Sequence, residues 1–480
     1  MDRRHRLQAD PADLYPAETG AAASRPGFLD SENEDVVGSA AVSTAVAGTE
    51  KSVIRGIRVI RWRPISRQRI TRITRIEIPL LHSKMRILFL TQVLPLPLDA
   101  GPKIRAYYVL RYLVEAGHEV SLLSFVRADD SPTAIESLKK LCKHVETVPM
   151  VRSLRGDLWS GIRSLLSNRS FLIVRDERSE MRRRVQALCE SRSFDAVHSD
   201  QLWMAPYALG ASALRKILDQ HNAVFQIPRR LAAGEKSRVK RSILKLEAKK
   251  LAKYEAETCV QFDRVVWVSS ADLEALRSSR SARSAALAAG PVIPICVDPS
   301  VVVNSKNKTR RFRVTFLGGM HWPPNAEGVK WFLKEVWPQV ASVVPDAVLT
   351  LIGKRPPRLP ASSPGKIESV GFTPDVERYI NETAVFIVPL LAGGGMRVKI
   401  LDAWSWRLPV VSTTIGAEGL ETRHGENILL ADTAGAFGES VVQVLRNRSL
   451  ANLLSEQGRG TVEIHYDWRR IYSSWELVYR

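Results

Sequence analysis

The chain of 480 residues has four cysteines, Cys142, Cys189, Cys259 and Cys296, and no two are spaced as C-x-x-C. That excludes a disulfide framework and a structural zinc site, and leaves reduced, buried thiols as the expectation. No apolar run approaches the roughly 20 residues that span a bilayer. The N-terminal "MDRRHRLQADPADLYPAETG" also lacks the apolar stretch of a signal peptide, so a cytoplasmic location is expected. P-loop and H-E-x-x-H patterns are missing, and no G-x-G-x-x-G follows the first strand of either half. A Walker-type nucleotidase, a zinc protease and a nicotinamide dehydrogenase are thereby disfavoured.

Acids are scarce as well: 50 Asp and Glu stand against 70 Lys and Arg, for a net charge of +20. Nucleic acid, an anionic membrane surface or phosphorylated small molecules would each suit such a surface. Residues 1 to about 50 are rich in Ala, Ser, Gly and acids without periodicity, and read as disordered. Residues 51–84 hold ten Lys or Arg and one acid, Glu77. They read either as a basic arm on anionic lipid or as a flexible extension ahead of a natural start at Met85. Aromatics other than Trp62 are not interleaved with the basic runs, so no specific nucleic-acid partner is expected.

From Met85 the texture is that of an α/β protein. "RILFLT" is a short continuous apolar run, the mark of a strand buried on both faces. A helical stretch ended by Gly117 and the strand "EVSLLSF" complete a βαβ unit. Further strands are expected at "VETVPMV", "FDAVHSD", "RKILDQHN" and "RVVWVSS", with helices at 177–190 and 236–261. A second series follows: "FRVTFLGG", a helix over 325–343, "AVLTLIG", "IESVGF", a short helix at "DVERYIN", "AVFIVPL", a helix from about 396 to 406, and "LPVVST". Two parallel-sheet domains with helices on both faces are implied, joined by the polar "DPSVVVNSKNKTR". The terminal "YDWRRIYSSWELVY" reads as one helix with Trp468, Ile471 and Trp475 on a single face.

Ligands of such sheets bind beyond the C-terminal strand ends, here in the cleft between two domains. After "AVFIVPL" come Gly393, Gly394 and Gly395, and a helix is expected to open at about Met396. Free backbone N–H groups at that point attract anions. Arg397 and Lys399 are the cations at hand, and Asp402, one turn on, is a candidate acceptor for sugar hydroxyls. His198 and His221 end expected strands at the binding edge, whereas His118 lies at the opposite end. Gly319, His321 and Trp322 follow the first strand of the second domain, with Asn325 as a candidate helix N-cap. Asp99, Gly101 and Arg105 occupy the corresponding loop of the first domain.

Taken together, "MRILFLTQVLPLPLDAGPKIRAYYVLRYLVEAGHEVSLLSF", "VTFLGGMHWPPNAEGVKWFLKEVWPQV", "VGFTPDVERYI" and "VPLLAGGGMRVKILDAWSWRLPVVSTTIGAEGL" resemble family 4 glycosyltransferases. Within these, the resemblance is to the exopolysaccharide sugar transferases associated with PEP-CTERM sorting. It implies the GT-B fold: two Rossmann-like, doubly wound parallel-sheet domains facing a cleft, with a C-terminal crossover helix. The implied division is an extension over 1–84, an acceptor-side domain over 85–300, a donor domain over 301–464 and the helix over 465–480.

The implied reaction is transfer of a sugar from a UDP- or GDP-sugar to an acceptor hydroxyl, with retention and with no obligatory metal or other cofactor. A glycan or polyprenyl-diphosphate-linked acceptor and peripheral contact with the inner membrane surface go with that context. By resemblance, Arg397 and Lys399 match cations near the donor diphosphate, and His221 matches a histidine near the reaction centre. Asp402 matches the ribose-contacting second acid of the family's E-x7-E motif. Gly319, His321, Asn325, Glu418 and the glycine run fall on the donor side; Gly101, Arg105 and Asp200 fall on the acceptor side. Three departures stand out. Gly394 replaces the first acid of the motif, the second acid is Asp rather than Glu, and the common Arg and Lys pair early in the donor domain is absent. A nucleotide-sugar epimerase and an inactive nucleotide-sugar-binding subunit are the alternatives.

Overall fold

The computed structural model describes residues 84–167, 169–279, 290–301, 312–359, 364–373 and 375–480. The segment read as disordered, the basic arm up to residue 83, and residues 302–311 around the polar join lie outside the described residues.

The first domain is a six-stranded parallel sheet. Its strands are β1 (Arg86–Thr91), β2 (Glu119–Val126), β3 (His144–Pro149), β4 (Phe194–Asp200), β5 (Ala213–Gln220) and β6 (Arg264–Trp267), in the order β3-β2-β1-β4-β5-β6. Ile87, Leu88, Phe89 and Leu90 are all fully buried, which explains why β1 is apolar without alternation. The helices that matter below are α1 (Gly101–Glu115), α2 (Leu154–Ser167), α3 (Gln226–Gly234) and α4 (Arg238–Cys259).

The second domain repeats the plan with β7 (Arg313–Leu317), β8 (Val348–Ile352), β9 (Lys366–Gly371), β10 (Thr383–Val388), β11 (Val410–Ser412) and β12 (Leu429–Leu430). The order is β12-β11-β10-β7-β8-β9. Its helices include α5 (Pro323–Trp331), α6 (Val398–Ser405) and α7 (Arg448–His465), and the chain ends in α8 (Trp475–Tyr479). In each sheet the chain reverses its direction of growth between two central strands, β1 and β4 in one, β7 and β10 in the other. Such switch points leave a crevice at the C-terminal strand ends.

Two expected helices are broken. The helix expected over 325–343 begins at Pro323 and passes through a π-turn, Phe332–Val336, before resuming at Trp337–Val343. Pro338 stands in the first turn after the break, where its missing N–H costs no helical bond. The C-terminal stretch is not one helix either: Trp468–Ile471, a 3-10 turn and α8 succeed one another. Trp468, Tyr472, Trp475 and Tyr479 are buried against the first domain, with Tyr108 stacked on Trp468 at 5.6 Å. Tyr466 O accepts from Val297 N at 2.9 Å, so the chain re-enters the first domain directly after α7.

Candidate functional site

The strand ends converge on one place. The loop after β10 carries Gly393, Gly394 and Gly395, and its neighbour across the cleft is the loop after β5. A Cβ on Gly395 would lie 3.1 Å from both His221 O and Asn222 Cβ, and Gly395 has a left-handed φ of +73°. Only glycine meets both conditions without strain. Gly394 is different: the nearest atom to a Cβ there is Ile227 Cγ1 at 3.5 Å, an ordinary contact.

α6 opens at Val398, two residues later than expected, with Arg397 as its cap residue. The Arg397 side chain curls back on the glycine loop and donates through Nη1 to Gly394 O and, at 2.7 Å, to Gly395 O. Its Nε and Nη2 are buried without a hydrogen-bond partner among the described residues. Burial pushes this guanidinium down to about 10, opposed by the Glu418 charge and assisted by that of Arg230.

Lys399 points the other way along the cleft. Its Nζ donates to Asn325 Oδ1 at 3.0 Å and lies 4.5 Å from the centre of the Phe316 ring. A Cβ on Gly318, whose φ is +155°, would come within 2.6 Å of that ammonium. Asn325 also donates to Gly319 O at 2.9 Å, tying the β7 loop to the lysine. Asn325 is not the N-cap, since Trp322 takes that position and Asn325 sits in the first turn of α5. Burial lowers Lys399 to about 7, and the nearby Arg397 charge lowers it further against the pull of Asp402. Burial raises Asp402 to about 7, against Lys399. Asp402 lines a cavity with Leu98, Ile104, Tyr108 and Val297 at the domain seam, with room for about one water. His321 is exposed, and its ring folds over Gly319, where a Cβ would meet His321 Cε1 at 2.4 Å.

On the first domain, His221 follows the end of β5. Its Nε2 lies 2.9 Å from Asp200 Oδ1 and 3.5 Å from Asp219 Oδ2. Burial would push the imidazole down, but the two carboxylates outweigh it and raise His221 to about 9. The ring is therefore a cation at neutral pH and cannot serve as a general base there. Nδ1 is buried and has no hydrogen-bond partner among the described residues. The loop carrying it is fixed from behind: Glu255 accepts from Val224 N at 2.8 Å, Phe225 N at 2.9 Å and Gln220 Nε2 at 2.7 Å. Asp272 accepts from Ala223 N at 2.8 Å.

Two expected site residues lie elsewhere. Arg105 is not in an acceptor-side loop; it is in α1, fully buried, with Nε and Nη2 on Asp219 at 2.8 and 3.0 Å. Its other partners are Pro294 O at 2.6 Å and Tyr472 OH at 3.2 Å. His198 lies inside β4 rather than at its end, stacked on Phe89 at 4.1 Å and paired with Tyr479 OH at 2.7 Å. Burial and the Arg105 and His221 charges, against Asp219, hold it down at about 3, so it stays neutral. His198, Asp200 and Asp219 have ligand atoms within 4.8 Å of one another. Arg105 and His221 already face those two carboxylates, and a metal ion would have to displace a cation there. Gly101 opens α1, where a Cβ would meet Val398 Cγ2 of α6 at 3.2 Å, so it lies on the contact between domains.

One residue that sequence reasoning missed completes the cleft. Arg230, on α3, grips Glu418 with two hydrogen bonds of 2.5 and 2.6 Å and also donates to Gly393 O. The pair is separated by 188 positions, and no local pattern in "QIPRRLAAGEK" distinguishes Arg230 from its basic neighbours.

Two parallel-sheet domains that meet at a glycine loop flanked by buried cations define the class: the chain has the GT-B fold. Within it, residues 311–447 match the family of group 1 glycosyl transferases. Among curated proteins, a 44.6 kDa uncharacterized protein in the cps region of Klebsiella pneumoniae is 23% identical over 407 residues, 81% of this chain and 98% of that one. Anabaena HepE in complex with UDP and glucose superposes with a TM-score of 0.56 at 13% identity, covering 82% of this chain and 99% of that one. S. aureus TarM, as a mutant in complex with fondaparinux, alpha-GlcNAc-glycerol and UDP, gives a TM-score of 0.57 at 10% identity, covering 82% and 100%.

Proposed function

We propose that the protein is a glycosyltransferase that takes a sugar from a nucleoside-diphosphate sugar, with the diphosphate held at the glycine loop. The observation that carries this is Arg397: a buried guanidinium with two unpartnered donors beside three glycines. When the glycosidic bond breaks, negative charge grows on the leaving diphosphate, and fixed donors in a desolvated place stabilise it. Lys399 stands on the other side of the α6 opening, beside the loop after β7, and His221, an imidazolium, faces the glycine loop from the first domain. Arg230 adds a second guanidinium from across the cleft. His221 acts in this scheme as a fixed cation and hydrogen-bond donor through Nδ1, with no proton to accept.

The uridine nucleotides seen in the HepE and TarM structures favour a UDP-sugar donor. The cps-region relative favours a polysaccharide or lipid-linked glycan as product context. The sequence resemblance to family 4 supports retention at the anomeric carbon. Asp402 reaches a ribose only if the seam it lines opens, whereas Glu418 already lies beside the glycine loop and becomes a free acceptor once Arg230 turns to the diphosphate.

Gly394 favours one second reading. With no carboxylate at that position, the chain would bind a nucleotide sugar without turning it over. The test is a thermal-stabilisation panel of UDP- and GDP-sugars on the full chain, followed by an assay for release of nucleoside diphosphate in the presence of glycan acceptors. Stabilisation with release supports the transferase, and stabilisation without release supports the binding subunit. No stabilisation by any nucleotide sugar overturns both.

A further inference from the structure

We propose that α2 and the first half of α4 form a docking surface for an anionic lipid bilayer. This rests on surface chemistry and is independent of the donor site. α2 wears its amphipathic pattern inside out. At 100° per residue, Leu154, Leu158, Trp159, Ile162, Leu165 and Leu166 fall within an arc of about 140°. All six are exposed, with Leu158 at 70%, Trp159 at 69% and Leu166 at 85%. The opposite side, with Asp157, Ser160, Gly161 and Ser164, is the one that turns inward, and Ser164 is the buried residue of the helix. A water-soluble surface helix has the reverse arrangement.

α4 continues the surface. Lys250 Nζ donates to Ser164 O at 2.8 Å, and Glu247 accepts from Ser170 Oγ at 2.6 Å and from Phe171 N and Leu172 N at 3.1 Å, which fixes α4 beside α2. Val239, Ile243 and Leu246 form one exposed stripe on α4. Around that stripe stand Arg238, Lys240, Lys245 and Lys249, all exposed, and Arg155 and Arg163 do the same on α2. The acids of the two stretches do not offset them, since Asp157 turns inward and Glu247 is occupied by the Ser170–Leu172 backbone and hydroxyl; of the cations, Arg163 lies 3.9 Å from Glu177.

Apolar side chains rimmed by Lys and Arg match the boundary between acyl chains and anionic headgroups. Charge argues against the other occupants. A second copy of this surface would set like cations against each other, and residues 51–84 of the same chain, with ten Lys or Arg and one acid, would do the same. No helix among the described residues is long and apolar enough to cross a membrane, so the contact is peripheral. The place is apt for a lipid-borne acceptor. α2 leaves the C-terminal end of β3, and α4 packs on α3, whose Arg230 stands in the cleft.

The test is flotation of the full chain with phosphatidylcholine vesicles and with equal mixtures of phosphatidylcholine and phosphatidylglycerol. Two variants accompany it: the triple change Leu158→Ser, Trp159→Ser, Leu165→Ser, and the double change Lys240→Glu, Lys245→Glu. Binding to the anionic vesicles is expected, with a loss of roughly tenfold in partition for each variant. Stabilisation by nucleotide sugar should be unchanged in both, which shows that they fold. Three results would overturn the proposal: no binding by the unaltered chain, full binding retained by both variants, or a dimer in light scattering that the triple change dissociates.

Discussion

Arg230 of the first domain and Glu418 of the second close a two-bond ion pair across the cleft, 2.5 and 2.6 Å long, and Arg230 shares the carbonyl of Gly393. Both side chains are partly exposed, so the pair adds at most about 1 kcal/mol to stability. Its value lies in where it places a guanidinium. Arg230→Met should leave the unfolding midpoint in urea nearly unchanged and weaken nucleotide-sugar binding by roughly tenfold, the usual scale for one charge-assisted bond. Binding unchanged in Arg230→Met would remove Arg230 from the diphosphate site.

Arg105 and Asp219 make the opposite kind of pair, with both side chains fully buried. Removing one partner leaves an uncompensated charge in the core. Arg105→Met is expected to cost about 3–5 kcal/mol in urea unfolding. An acceptor-side role would instead show as altered acceptor kinetics at unchanged stability.

His221 gives a pH signature. Its raised pKa means that its contribution to stability is complete below the unfolded value, about 6.5, and is lost as pH rises through about 9. The unaltered chain should therefore lose more stability between pH 6 and pH 10 than His221→Gln does. Urea midpoints at both pH values measure this, and parallel losses would contradict the imidazolium assignment.

The glycines should not be equivalent. Gly395→Ala forces a left-handed φ of +73° and a contact at 3.1 Å with the His221 carbonyl, a cost of about 1–2 kcal/mol. Gly394→Ala meets nothing closer than 3.5 Å. Only the first is expected to impair nucleotide-sugar binding, as read by calorimetric titration. Equal impairment would mean that the loop reshapes on binding.

Much of the fold was legible because each buried strand is a short apolar run between turn residues. "FDAVHSD" is β4 to the residue, and the helix expected over 236–261 is Arg238–Cys259. β12 has two residues, too few for any periodicity, and the helix over Arg448–His465 was not read at all. In the candidate site, the positions of Arg397, Lys399 and His221 after strands and glycines are legible in the sequence. The failures came from residues whose role depends on distant partners. His198 and His221 close similar-looking stretches of sequence, yet the first lies inside β4, stacked in the core on Phe89, and the second follows β5 and faces the glycine loop. Arg105 reads as a cleft residue in the sequence, but Asp219, 114 positions away, holds it in the core.

The central claim is that Arg397 and Lys399 hold a diphosphate. Burial, with the nearby Arg397 charge, pushes Lys399 down to about 7, and a bound diphosphate favours its charged form. Calorimetric titration of the full chain with the nucleotide sugar selected by the stabilisation panel, in buffers of different ionisation enthalpy, tests this directly. At pH 8.5 binding should take up a proton, affinity should be lower than at pH 6, and Lys399→Met should abolish both the uptake and the pH dependence. Arg397→Gln should weaken binding at every pH. Binding without proton uptake, and with equal affinity in both variants, would contradict the account.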